Sequence, residues 1–101
     1  MKNEISRESV FAPSEDVVAR DIDGEILLIP IASGIGDMED ELYSLNETGR
    51  AIWEQLDGIS SLEQIVVRLS KEFNAPLEQI RNDVFGLVTE LDKRHMLTHI
   101  S

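Results

Sequence analysis

The stretch from Asp40 to Trp53 constrains this chain most, because the hydrophobic period changes inside it. Leu42 to Leu45 reads as a short strand, with Tyr43 and Leu45 on one face and Leu42 and Ser44 on the other. From Asn46 onward the apolar residues Ile52, Trp53 and Leu56 fall at helical spacing. Asn46 stands where a helix N-cap belongs, because its side-chain oxygen can accept a free N–H of the first turn. A strand therefore runs almost directly into a helix. Everything before this point is strand-like and everything after it is helical.

Upstream, Asp16 to Ile22 is β-branched enough for a first strand, through Val17, Val18 and Ile22. Asp23-Gly24 follows, the dipeptide of a type I′ hairpin turn. Glu25 to Ile31 is almost wholly apolar, which predicts a second strand covered on both faces, with pairing weakened at Pro30. Ala32 to Glu39 is a Gly-containing, acidic loop, and Asp40 to Leu45 the third strand. A meander leaves that third strand at an edge, where unpaired backbone groups are a template for another chain. The acids Asp37, Glu39, Asp40 and Glu41 fit two roles: guarding the edge against self-pairing, or receiving a basic peptide.

Downstream, three helices are expected. The first runs from Asn46 to about Leu56 and stops at Asp57-Gly58; Gly49 in its first turn implies close packing on the strand or a later start. Ser60 with Glu63 reads as a capping box for a second helix reaching Phe73, with Leu62, Ile65, Val66, Leu69 and Phe73 as its apolar stripe. The third starts at Pro76 and runs to about Lys93. Ile80, Val84, Leu87 and Leu91 form its core-facing row, and Leu77, Phe85 and Val88 widen the stripe. That width means packing on two elements, or a groove bordered by Phe85 and Val88. Residues 1–15 are read as a flexible lead-in with Phe11 as an anchor, residues 16–101 as one domain, and Met96 to Ser101 as a β-like tail. The order is the α+β pattern of a winged helix-turn-helix-like domain: a three-stranded antiparallel sheet followed by three helices.

The totals narrow the function. With 20 acids against 9 bases the net charge is −11, which disfavours phosphate-backbone binding. No cysteine is present, so disulfides and thiolate chemistry are excluded. No Gly-rich phosphate loop or nucleophile elbow occurs, and His95 and His99 lack a recognisable third metal ligand. Neither a catalytic residue, a metal site nor a cofactor is assigned, and an enzyme is not expected. The lack of a signal-peptide pattern after the first charges, and of a long apolar run, leads to the expectation of a cytoplasmic protein.

The ordered set Asp23-Gly24-Glu25-Ile26-Leu27-Leu28, Leu42-Tyr43-Ser44-Leu45-Asn46-Glu47-Thr48-Gly49, Ile52-Trp53, Leu56-Asp57-Gly58, Leu62 to Val66, Leu69, Phe73, Asp83-Val84, Leu87 and Leu91 resembles the PqqD family. It is also similar to the peptide-recognition domains of pathways that modify ribosomally made peptides. The loop from Ser33 to Asp40 is longer and more acidic than in the quinone-pathway pattern, which leaves the pathway open. The resemblance implies a non-catalytic peptide chaperone. A precursor's leader segment would add as a strand along Glu41, Leu42, Tyr43 and Ser44 and lie against Arg81, Val84, Phe85 and Val88. Arg81 would pair with a leader carboxylate or remain a solvated charge near Asp83. The implied partners are the leader peptide and a modifying enzyme, a radical S-adenosylmethionine protein, with no nucleic acid or membrane involved. A monomer or weak homodimer is expected. The alternatives are a winged-helix DNA-binding regulator and a dimerisation module.

Overall fold

The computed structural model describes residues 5–31 and 42–100. Its elements are β1 (Phe11–Pro13), β2 (Val17–Ile22), β3 (Glu25–Pro30), β4 (Tyr43–Leu45), α1 (Glu47–Gln55), α2 (Leu62–Phe73), α3 (Leu77–Lys93) and β5 (Leu97–His99). β2, β3 and β4 form one antiparallel sheet in that order, and β1 pairs with β5 in a second. The expected α+β order of three strands and three helices is present; winged helix describes it only loosely, because the β1–β5 pair is added.

The β2–β3 hairpin closes at Asp23 (φ 55°) and Gly24 (φ 86°), the two left-handed positions of a I′ turn. Ile22 lies opposite Glu25, and Val18 opposite Ile29. Ile26 and Leu28 are buried, whereas Leu27 and Ile29 are half-buried. Among the described residues the sheet is thus fully covered on one face only, where the sequence leads to the expectation of two covered faces. All three helices pack on the Ile26/Leu28 side or against one another. Of the third strand expected from Asp40, β4 starts at Tyr43; Asp40, Glu41 and the acidic loop lie outside the described residues.

Asn46 caps α1, its Oδ1 accepting the Gly49 N–H at 2.8 Å. A Cβ on Gly49 would sit 3.2 Å from Leu45 Cδ2, so the helix lies tightly on the strand it follows. The cap of α2 is one residue later than the sequence suggests. Ser61 accepts from Gln64 N–H at 3.2 Å, and Gln64 Oε1 accepts the Ser61 N–H at 2.9 Å. Gln serves at this third helical position as well as Glu does. Ser60 instead gives its N–H to Asp57 at 2.9 Å, and its hydroxyl accepts from Arg68 at 2.8 Å. α3 begins at Leu77, with Pro76 as its extended N-cap.

α3 packs against α1, α2 and β5. Its buried row is Ile80, Val84, Val88 and Leu91. Leu87 and Phe85 are half-buried on its two flanks, so Leu87 and Val88 exchange the places expected of them. Packing against several elements accounts for the wide stripe. The core also contains Leu45, Ile52, Trp53, Leu62, Ile65, Leu69 and Met96.

The body begins before residue 16. Phe11 is wholly buried and its ring stacks on His99 at 4.4 Å. Ser14 N–H donates to Met96 O at 3.0 Å, and Leu62 N–H to Ser9 O at 2.9 Å. The segment expected to be a flexible lead-in therefore has residues 9–14 built into the fold. Three residues ending in proline leave no period by which to recognise a strand.

Candidate functional site

In the β2–β3–β4 sheet, β4 has one neighbour and is an edge among the described residues. Its register decides which backbone groups face outward. Ile31 N–H donates to Asp16 O at 2.9 Å, so the odd-numbered residues of β3 direct their backbone groups toward β2. The even-numbered Ile26 and Leu28 then face β4, opposite Leu45 and Tyr43. Ser44, between them and exposed, points its N–H and C=O away from β3.

Beside this edge lies a hollow of about 440 Å³. β4 contributes Tyr43, Ser44 and Leu45, the start of α1 contributes Thr48, Gly49 and Ile52, and α3 contributes Asp83 and Leu87. Asn46 and Glu25 complete the rim. The closeness of Gly49 to Leu45 sets how near α1 comes to the strand, and the Arg94 guanidinium 4.8 Å above the Tyr43 ring marks where the end of α3 meets β4.

The flank of α3 that faces β4 carries Asp83, Leu87, Glu90 and Arg94, spaced at three and four residues. The opposite flank carries Arg81 and Phe85 and faces α2. There Arg81 Nη2 meets Glu63 Oε2 at 2.8 Å. This hydrogen bond to Arg81 holds the Glu63 carboxyl below its ordinary range and raises the Arg81 guanidinium. Asp57 is likewise held low, by the N–H groups of Ser60 and then Ile59.

Of the residues singled out in the sequence, Leu42, Tyr43 and Ser44 stand together at the β4 edge; Glu41 lies outside the described residues. The helix half is distributed differently from the expectation. Val84 and Val88 are wholly buried, and Arg81 and Phe85 lie on the α2 flank, so none of the four lines the hollow. Asp83 and Leu87 take that place. Their four-residue spacing was readable as one helix flank, but which flank turns toward β4 depends on how α3 crosses the sheet.

The acids near the hollow differ in their partners. Arg50 bonds Asp21 at 2.9 Å and Glu54 at 3.0 Å and donates to Gly24 O at 2.9 Å; Arg94 bonds Glu90 at 2.8 Å. Among the described residues, Glu25 and Asp83 have no ion-pair partner. The hollow is thus apolar at Tyr43, Leu45, Ile52 and Leu87, with carboxylates at its rim. No helix of the described residues is long and apolar enough to cross a membrane.

A strand edge beside a helix-walled hollow is an arrangement that can accept an extended chain segment. Residues 25–97 match the family model of coenzyme PQQ synthesis protein D (PqqD), and the chain belongs to that family. A PqqA binding protein of Rhizobium meliloti (strain 1021) is 37% identical over 54 residues, covering 54% of this chain and 55% of that protein. The chain thus spans about half the length of this curated relative. Among solved structures, TbiB1 in complex with the TbiA(beta) leader peptide superposes with a TM-score of 0.69 at 23% identity, over 85% of this chain and 93% of that one. At that identity the likeness establishes the shared fold.

Proposed function

We propose that this protein is a non-catalytic binding protein that captures the leader segment of a ribosomally made precursor by strand addition to β4. It then presents the precursor to a modifying enzyme, for which a radical S-adenosylmethionine protein is the partner we favour. The observation that carries this reading is the outward-facing backbone of Ser44 beside a hollow walled by α3. Main-chain hydrogen bonds at the edge supply affinity, and side chains entering the hollow supply selectivity. Leu42, Tyr43 and Ser44 are the strand positions of the proposed surface, and Asp83 and Leu87 the helix positions. The relative that is a PqqA binding protein and the fold shared with a leader-peptide complex support the same reading.

The DNA-binding alternative draws no support from the site. Arg81, the one base near the start of α3, is bonded to Glu63, and the chain carries a net charge of −11.

The test is an NMR titration of the isotope-labelled chain with the leader peptide encoded beside its gene. Amide shifts are expected at Tyr43–Leu45 and along the Asp83 and Leu87 flank. Shifts confined to α2 and the β1–β5 pair would refute strand addition. Sedimentation at several concentrations would show whether the same edge is used by a second copy.

A further inference from the structure

Ser44 sits where two hollows meet. Besides the one toward α3, a second of about 310 Å³ opens on the outer face of the sheet, lined by Ile22, Asp23, Glu25, Ile26, Leu27 and Ser44. A strand added beside β4 sends successive side chains to opposite faces. The residue paired with Ser44 shares the outer face with Ser44 and Leu27, while its two neighbours share the inner face with Tyr43 and Leu45.

We propose that the outer hollow is a second subsite for the bound peptide, taking a lysine or arginine side chain at the position opposite Ser44. This rests on the strand-addition reading above. The serine side chain is short, so it leaves the path from the edge to Leu27 open. Ile22 is 52% exposed and Leu27 half-buried, a floor suited to an aliphatic stem. Strands lie about 4.8 Å apart, so a stem of about 6 Å crosses Ser44 and brings its cationic head within reach of the Glu25 side chain. Asp23, at the turn, stands on the same rim. Neither carboxylate has an ion-pair partner among the described residues, in contrast to Asp21, which Arg50 neutralises. Arg20, the cation on the same face opposite Leu27, does not line the hollow. The ligand is thus an alternating segment: a basic residue facing outward, flanked on each side by residues facing the hollow beside Leu87.

The experiment selects binders from a random decapeptide display library on the full-length chain and maps the strongest by amide shifts. Affinity is then compared between the parent chain and the Asp23→Asn/Glu25→Gln double variant. Asparagine suits a I′ turn and both positions are exposed, so the variant keeps the fold. Selected peptides should shift the Ser44 amide and carry Lys or Arg opposite it. They should bind the double variant about tenfold more weakly at low salt, with the difference shrinking at high salt. Peptides that shift β4 but show no basic preference there, and bind both forms within about twofold, would overturn the second subsite and leave strand addition standing. Peptides that leave β4 unshifted, or a library that enriches nothing, would overturn both.

Discussion

Two adjacent residues of α3 make the sharpest test of how that helix is set. Leu87 is the larger side chain, and an amphipathic reading places it in the core; the structure buries Val88 completely and leaves Leu87 half-buried at the hollow. Val88→Ala removes two methyl groups worth about 0.8 kcal/mol each, and a cavity of about 40 Å³ adds about 1 kcal/mol, giving a loss of about 2.5 kcal/mol. Leu87→Ala removes three carbons, about 2.4 kcal/mol if fully buried, and roughly half of that here. Because the vacated space opens onto the hollow, no sealed cavity is added. The smaller truncation is therefore expected to cost about twice as much as the larger one. Urea denaturation of both variants, followed by far-ultraviolet circular dichroism, reads this as a larger shift in midpoint for Val88→Ala at unchanged slope. An equal or larger loss in Leu87→Ala would mean that α3 is rotated about its axis relative to the structure, and would remove the wall of the proposed site.

Other outcomes follow from the same geometry. Phe85→Ala should leave peptide affinity within about twofold, since Phe85 stands on the α2 flank; calorimetry showing a tenfold loss would return it to the binding surface. Gly49→Ala gains about 1 kcal/mol in helix propensity but brings a Cβ to 3.3 Å from Asn46 Oδ1 and 3.2 Å from Leu45 Cδ2, and Leu45 is only 2% exposed. A net loss of stability is expected by thermal melting, and a gain would show that the strand can give way. Ser61→Ala should cost about 1 kcal/mol through the lost cap, whereas Glu63→Gln should leave the cap intact. Asp57 and Glu63 are held below the ordinary carboxylate range when folded, so their contribution is present above the unfolded values and is lost as pH falls through the folded ones. Stability measured by denaturant should accordingly decline below about pH 4, and less steeply in Glu63→Gln.

Much of the fold was legible because its signals are local. Asp23-Gly24 dictates a hairpin turn through two positive φ angles, Asn46 caps the helix that follows it, and the apolar stripe of α2 names its buried face. The ordered motifs around these points also pointed to the family. Local signals become ambiguous where two residues of like chemistry are neighbours. Ser60 and Ser61, with Glu63 and Gln64, offer two registers for one capping box; the second is adopted while Asp57 holds the Ser60 N–H.

The amino-acid sequence by itself determined the three strands of the larger sheet and the three helices, their order, the turn, and an edge strand running into a helix, because each depends on residues within a few positions of one another. Tertiary structure alone decided the rest. The pairing of β1 with β5 joins residues at opposite ends of the described chain, and no short-range pattern announces it. The rotation of α3, which turns Asp83 and Leu87 toward β4 and Arg81 and Phe85 toward α2, follows from packing on three elements at once. An apolar stripe specifies which side of a helix is buried, but both of its flanks look alike in sequence. Only the neighbour that each flank meets distinguishes a wall of the site from a contact within the body.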